Sequence, residues 1–278
     1  MVNNIMTFEE KIKGIIQNYN LGNFLEAESL AKNLLIRNTK DYQLFNIYGL
    51  ILLKLDKIEG AVSYFQKSIH IKLDFFEAHF NLLKSLYKLK KYDEAILQSK
   101  KCLKINSKSI KTLLLLGNLY NKLSQEKKSE KYFREILKIN SKDSNAYYSL
   151  GNLYKKKANY EKAIDNYKLA IKFNENYFAS YNNLGTLYQE VGKFDLAILN
   201  FKSAIKINPN FSGAYQNYLF CLNFSKYFDL NLYFELVQKF KQSLSKIDLN
   251  KISQFPKIKR QTKKLELDLY QEIMGITL

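Results

Sequence analysis

The side chains of this chain best suited to binding chemistry are primary amides and lysines. Asn46, Asn81, Asn118, Asn152, Asn182, Asn183 and Asn217 recur along it. A primary amide both donates and accepts hydrogen bonds, so a row of amides can hold the backbone of an extended peptide without reading its side chains. Lys54, Lys88, Lys122 and Lys156 return at one fixed interval. Groups suited to covalent or acid–base chemistry are scarce. Two cysteines and two histidines are too few for a disulfide framework or a cysteine-rich zinc site. Cys102 and Cys221 are far apart, each in an apolar helical pattern, and are expected as buried free thiols. His79 falls at a core-facing position and His70 late in a helix, on the surface. There is no glycine-rich strand-to-helix phosphate loop, and no Ser–His–Asp or paired-carboxylate grouping follows from spacing. No catalytic residue, metal site or cofactor is therefore expected.

The elements that position these side chains repeat. Ser144–Tyr177 and Phe178–Phe211 align without a gap. Carried back along the chain, the same register places Ala27, Ala61, Ala95, Ala163 and Ala197 at position 20 of successive units, with Ser129 in the one gap. Gly49, Gly117, Gly151 and Gly185 share position 8, where the third unit has Leu83 and the first Ile15. Phe65, Phe133, Tyr167 and Phe201 share position 24. Within each unit apolar residues return every three to four positions, twice, with a polar break between, which predicts two amphipathic helices and a turn. Small residues at positions 8 and 20 let the two helices approach, and large ones fill the space around them. One such hairpin cannot bury its own apolar face, so neighbours must stack.

Composition bounds the rest. The 278 residues are 46% apolar, enough for a buried core. Lys and Arg total 44 against 26 Asp and Glu, a formal charge of +18. Arg37, Arg134 and Arg260 are the only arginines, whereas nucleic-acid readers lean on the bidentate fork of Arg. The lysine excess accompanies many Asn, Ile, Tyr and Phe residues, whose codons are AT-rich, so genome composition accounts for much of it. A nucleic-acid role is not expected. The start of the chain lacks a basic then apolar export signal, and no apolar run approaches the roughly 20 residues that span a bilayer. A cytoplasmic setting is expected.

The 34-residue pattern resembles the tetratricopeptide repeat. The resemblance covers 8–41, 42–75, 76–109, 110–143, 144–177 and 178–211. It implies an all-α fold, a right-handed superhelical solenoid of stacked helix-turn-helix units. It also implies that positions 2, 5, 6, 9, 12 and 13 of each unit line a concave groove, which gathers the amides and lysines named above. The expected partner is an extended protein segment, acidic if the lysine series speeds its encounter. Residues 212–245 read as a degenerate seventh unit with capping helices, including a helix near Asn231–Leu244. Residues 246–278 read as a basic linker and a poorly packed tail.

The seventh unit, AYQNYLFCLNFSKYFDLNLYFELVQKF, further resembles the junction after the last repeat of O-GlcNAc-transferase-like (SPINDLY-type) glycosyltransferases. In that family the repeats recruit protein substrates for a UDP-GlcNAc-using catalytic region, and an asparagine ladder at position 6 binds substrate backbone. Here Asn81, Asn183 and Asn217 match the ladder, and Lys13, Ile47, Leu115 and Ser149 do not. The catalytic region has no room in these residues, so the chain itself is not expected to transfer sugar. Read in the neighbouring frame, codons allowed for Leu265–Leu278 include a set that spells RIGFISGDYGNHP, which resembles the opening of that region. A one-base frameshift near Leu265 is the corresponding expectation, and sequencing of the gene decides it. The other reading is a stand-alone adaptor that holds partner proteins together.

Overall fold

Short-range chemistry sets where the helices begin. Thr7 accepts from the Glu10 N–H while the Glu10 carboxylate accepts from the Thr7 N–H, a reciprocal cap. Asp41, Ser109, Asp143 and Asn159 likewise accept backbone N–H groups at helix starts. The computed structural model describes residues 7–37, 40–226 and 228–244. Fourteen α-helices and no strand form among the described residues. The first helix of each repeat is α1 (Phe8–Asn20), α3 (Tyr42–Lys54), α5 (Phe76–Lys88), α7 (Ile110–Lys122), α9 (Ser144–Lys156) and α11 (Phe178–Glu190). The second helices are α2 (Phe24–Arg37), α4 (Ile58–Ile71), α6 (Tyr92–Ile105), α8 (Glu126–Ile139), α10 (Tyr160–Phe173) and α12 (Phe194–Ile207). They are followed by α13 (Ser212–Leu222) and α14 (Leu230–Leu244). This is an all-α repeat fold. The expected basic linker and tail lie outside the described residues.

The chain divides into two compact bodies, Met1–Ser149 and Leu150–Leu278. In the first, α1 to α7 each pack on the helix that follows. First helices of neighbouring repeats also touch, α1 on α3 and α3 on α5. The core joins Ile15, Ala27, Leu44, Ile51, Ala61, Phe65, Leu83 and Leu116, all at most 1% exposed. Gly49 explains how α3 and α4 come so close. A Cβ there would lie 2.5–2.9 Å from three atoms of the Phe65 ring. The third repeat solves the same problem in reverse. Leu83 fills position 8, and position 24 shrinks to Ser99, whose hydroxyl donates to the Ala95 carbonyl at 2.8 Å. The first repeat likewise has a large residue at position 8, Ile15, and a small one at position 24, Ala31, both buried.

In the second body α10 to α14 pack in sequence order, and α11 also touches α13. Gly151 and Gly185 face the rings of Tyr167 and Phe201. On α14, Tyr233, Leu236, Val237 and Phe240 are buried. Cys102, in the first body, and Cys221, in the second, are both buried, and burial pushes each thiol up to about 12. Both are therefore protonated and unreactive at neutral pH.

Every first helix from α1 to α11 ends in the same turn. The N–H at position 16 donates to the carbonyl at position 11, as from Lys57 to Leu52 and Asn159 to Tyr154. This closure requires a left-handed residue at position 15. Gly22 and Gly192 supply it without steric cost, but Asp56, Lys90, Ser124 and Ala158 adopt φ between 54 and 58° there. Alanine is poorly suited to that region, so Ala158→Gly should stabilise the protein by about 0.5–1 kcal/mol after the extra backbone entropy of glycine is subtracted. Thermal melts should rise by about 1–3 °C. An unchanged or lower melting temperature would show that the turn is not strained.

Candidate peptide-binding groove

The first helices carry the amides and lysines on one register, and their mutual contacts make theirs the inner face within each body. In the first body, Asn46 on α3 is buried, 8% exposed, whereas Asn81 on α5 and Asn118 on α7 are half-buried. Asn81 Nδ2 donates to Asn46 Oδ1 at 2.9 Å. This bond ties position 6 of one repeat to position 5 of the preceding one. Asn81 keeps its carbonyl oxygen and its second N–H proton for other partners. Lys54, Lys88 and Lys122 are exposed and close α3, α5 and α7, where a cation also suits the helix dipole. The Lys54 ammonium lies 5.9 and 5.8 Å from the ring centroids of Tyr19 and Phe24.

In the second body the amides form a denser set. Asn183 Nδ2 on α11 donates to Asn152 Oδ1 on α9 at 2.8 Å, and the buried Tyr167 hydroxyl donates to the same oxygen at 2.8 Å. Asn182 Nδ2 reaches Asn183 Oδ1 at 3.4 Å, and Asn217 Nδ2 on α13 reaches Thr186 Oγ1 at 3.5 Å. Lys156, at the end of α9, is exposed. Its neighbour Lys155 pairs with Glu190 at 2.8 Å. The amides thus serve two ends. They link consecutive first helices, and they keep polar atoms on the inner face.

Three features were not singled out from the letters. The amide pairs depend on which repeats abut. The Tyr167 hydroxyl under Asn152 depends on the packing of α10 against α9. The inner face of the first body also carries partly exposed apolar residues, Ile47, Leu50, Phe80, Leu114 and Leu115. Their register positions are readable in the sequence, but their partial exposure is set by how the repeats stack. Among the described residues, no group of three or more His, Cys, Asp and Glu could hold a metal ion. No described helix is long and apolar enough to cross a membrane.

Repeated antiparallel helix pairs with a shared inner face define a class of helical repeat protein. Sequence models of the tetratricopeptide repeat match residues 42–75, 76–109, 110–143, 144–177 and 178–211, and the chain belongs to that family. An uncharacterized protein of Rickettsia prowazekii (strain Madrid E) is 36% identical over 107 residues. That match covers 38% of this chain and 32% of the relative, so the chain spans about a third of that relative's length. Among solved structures, a tetratricopeptide repeat protein from Parabacteroides merdae superposes with a TM-score of 0.69 at 18% identity, covering 96% of this chain and 98% of that one. A chain of the APC/C hetero-tetramer Cut9–Hcn1 gives 0.64 at 16% identity, covering 98% of this chain and 50% of that one. At these identities the likeness is one of fold.

Proposed function

We propose that the inner face of the first helices binds an extended segment of a partner protein, and that the chain acts as an interaction scaffold. The observation that carries this is the gathering of partly exposed amides, Asn152, Asn182, Asn183 and Asn217, on consecutive first helices of one body. Amides in such a row can pair with peptide N–H and C=O groups whatever the peptide sequence. The lysines at the helix ends favour acidic segments and raise the rate of encounter. A second reading makes the chain the substrate-recruiting part of an O-GlcNAc-transferase-like enzyme, with its chemistry elsewhere. The residues of the seventh repeat support it, and a long downstream reading frame for such a catalytic region would decide for it.

The groove is tested with a peptide selected from a random display library on the full chain. Alanine at Asn81, Asn183 and Asn217 together should weaken that peptide at least about tenfold, since each lost buried amide contact costs about 1–3 kcal/mol. Circular dichroism should still show a folded helical protein, melting a few degrees lower because all three amides also link helices. Unchanged affinity in the titration would remove the amides from the binding face.

A further inference from the structure

The two bodies carry different chemistry at the same register. In repeats two to four position 5 holds Phe80 and Leu114 beside Asn46, and in the second body it holds Asn182 and Gln216. At position 6, Ile47 and Leu115 flank Asn81 and stand against Asn183 and Asn217, and at position 9 Leu50, Lys84 and Asn118 stand against Asn152, Thr186 and Phe220, so the first body is the more apolar at positions 5 and 6. All five apolar residues of the first body are only partly buried. Ile47, Leu50, Phe80 and Leu115 rest their inner sides on the core and leave the rest of their surface uncovered. Partly exposed apolar residues gathered on one face mark a binding surface more often than scattered single residues do.

The rim is predominantly positive. In repeats two to four, Lys54, Lys84, Lys88, Lys111 and Lys122 occupy inner-face positions, against Glu77 alone of the acidic residues. All five lysines are exposed. Lys111 is also positioned by its neighbours. Its ammonium lies 4.8 and 4.6 Å from the centroids of Phe76 and Phe80, whose rings stack 6.0 Å apart at 10°. A cation held over an aromatic pair beside an apolar strip offers a charge contact and an apolar contact side by side.

Resting on the groove reading above, we propose that the first body reads side chains: it takes a partner segment that is acidic and carries bulky apolar residues, while amide contacts of the second kind read only backbone. Apolar side chains of the segment cover Ile47, Leu50, Phe80 and Leu115. Its carboxylates face the lysine rim. The amides at the same positions of the second body offer no such cover and impose no such preference.

The test is fluorescence anisotropy with three labelled decapeptides and the full chain at near-physiological salt. The peptides alternate Leu with Asp, Ala with Asp, and Leu with Lys. The Leu/Asp peptide should bind saturably. The Ala/Asp peptide should bind about tenfold more weakly or worse, because it leaves the strip exposed to water. The Leu/Lys peptide should not bind. Leu50→Asn and Leu115→Asn together, which give the first body the amide character of the second, should weaken the Leu/Asp peptide about tenfold. Leu97→Asn, on the outward side of α6 and 60% exposed, should not change it. Helical circular dichroism and the melting temperature show that each variant is folded. Equal binding of the Leu/Asp and Ala/Asp peptides overturns the proposal, as does an unaltered titration of the Leu50/Leu115 variant. If Asn183→Ala weakens the Leu/Asp peptide and the Leu50/Leu115 variant does not, the proposal fails and the groove reading stands. If none of the three peptides binds, the proposal fails, and the library-selected peptide still decides the groove reading separately.

Discussion

Replacing Gly185 with leucine will destabilise the protein severely, and replacing Phe201 with serine in the same chain will recover much of the loss. A Cβ at Gly185 would lie 2.7, 2.9 and 3.0 Å from three atoms of the Phe201 ring. Phe201 is fully buried, so the ring has no solvent space to move into. The leucine side chain must therefore push α11 from α12, and overpacking of this kind costs about 3 kcal/mol or more. Phe201→Ser alone removes a buried ring and leaves a cavity, at a cost of about 3–5 kcal/mol. The double variant has the residue pair already present in the third repeat, where Leu83 at position 8 and Ser99 at position 24 are both fully buried. The introduced serine can donate to the Ala197 carbonyl as Ser99 does to Ala95. The double should then be more stable than either single variant, with a coupling well above the few tenths of a kcal/mol expected of independent sites. Urea unfolding of the four proteins measures this. Additive losses would show that the two positions do not exchange volume.

That exchange also shows what was legible in the letters. The 34-residue period, the small residues at positions 8 and 20 and the aromatics at position 24 were enough for the all-α repeat fold, because close packing of two helices leaves few choices at their crossing. Leu83 and Ile15 read from sequence as departures from the pattern. The structure makes them the other solution to the same volume constraint, with Ser99 and Ala31 as their partners. His79 in the core and the two buried thiols were also readable, since each falls on an apolar helical face. The candidate site was only partly readable. Asn81 and Asn183 stood out as amides on a groove. That Asn81 bonds to Asn46, and Asn183 to Asn152, follows from how far each first helix slides past the next, which no local pattern encodes. The apolar strip was present at known positions, but its meaning comes from the side chains remaining partly exposed once the repeats have stacked.

Gln98→Leu should cost about 2–3 kcal/mol, although Gln98 makes no contact with the proposed groove. The reason lies at His79, which is 6% exposed at position 4 of the third repeat. Its Nε2 lies 2.9 Å from the Leu73 carbonyl, which can only accept, so Nε2 carries the proton. Nδ1 is then the acceptor of the neutral ring, and Gln98 Nε2 donates to it at 2.7 Å. The same amide also donates to the His79 carbonyl at 3.1 Å. One side chain of α6 thus satisfies two acceptors on α5, and Gln98 is itself 5% exposed. Leucine keeps the volume and leaves the ring nitrogen buried without a donor, which is the expensive half of losing a hydrogen bond. His79→Phe alone leaves the Gln98 amide only its bond to the carbonyl of residue 79 and releases the Leu73 carbonyl at the end of its turn. The two changes together remove donor and acceptor at once, so the double variant should be more stable than the sum of the singles implies by about 1–3 kcal/mol. Thermal and urea unfolding of the four proteins test the pair. If Gln98→Leu melts with the parent protein, the bond contributes nothing and the imidazole is held by packing alone.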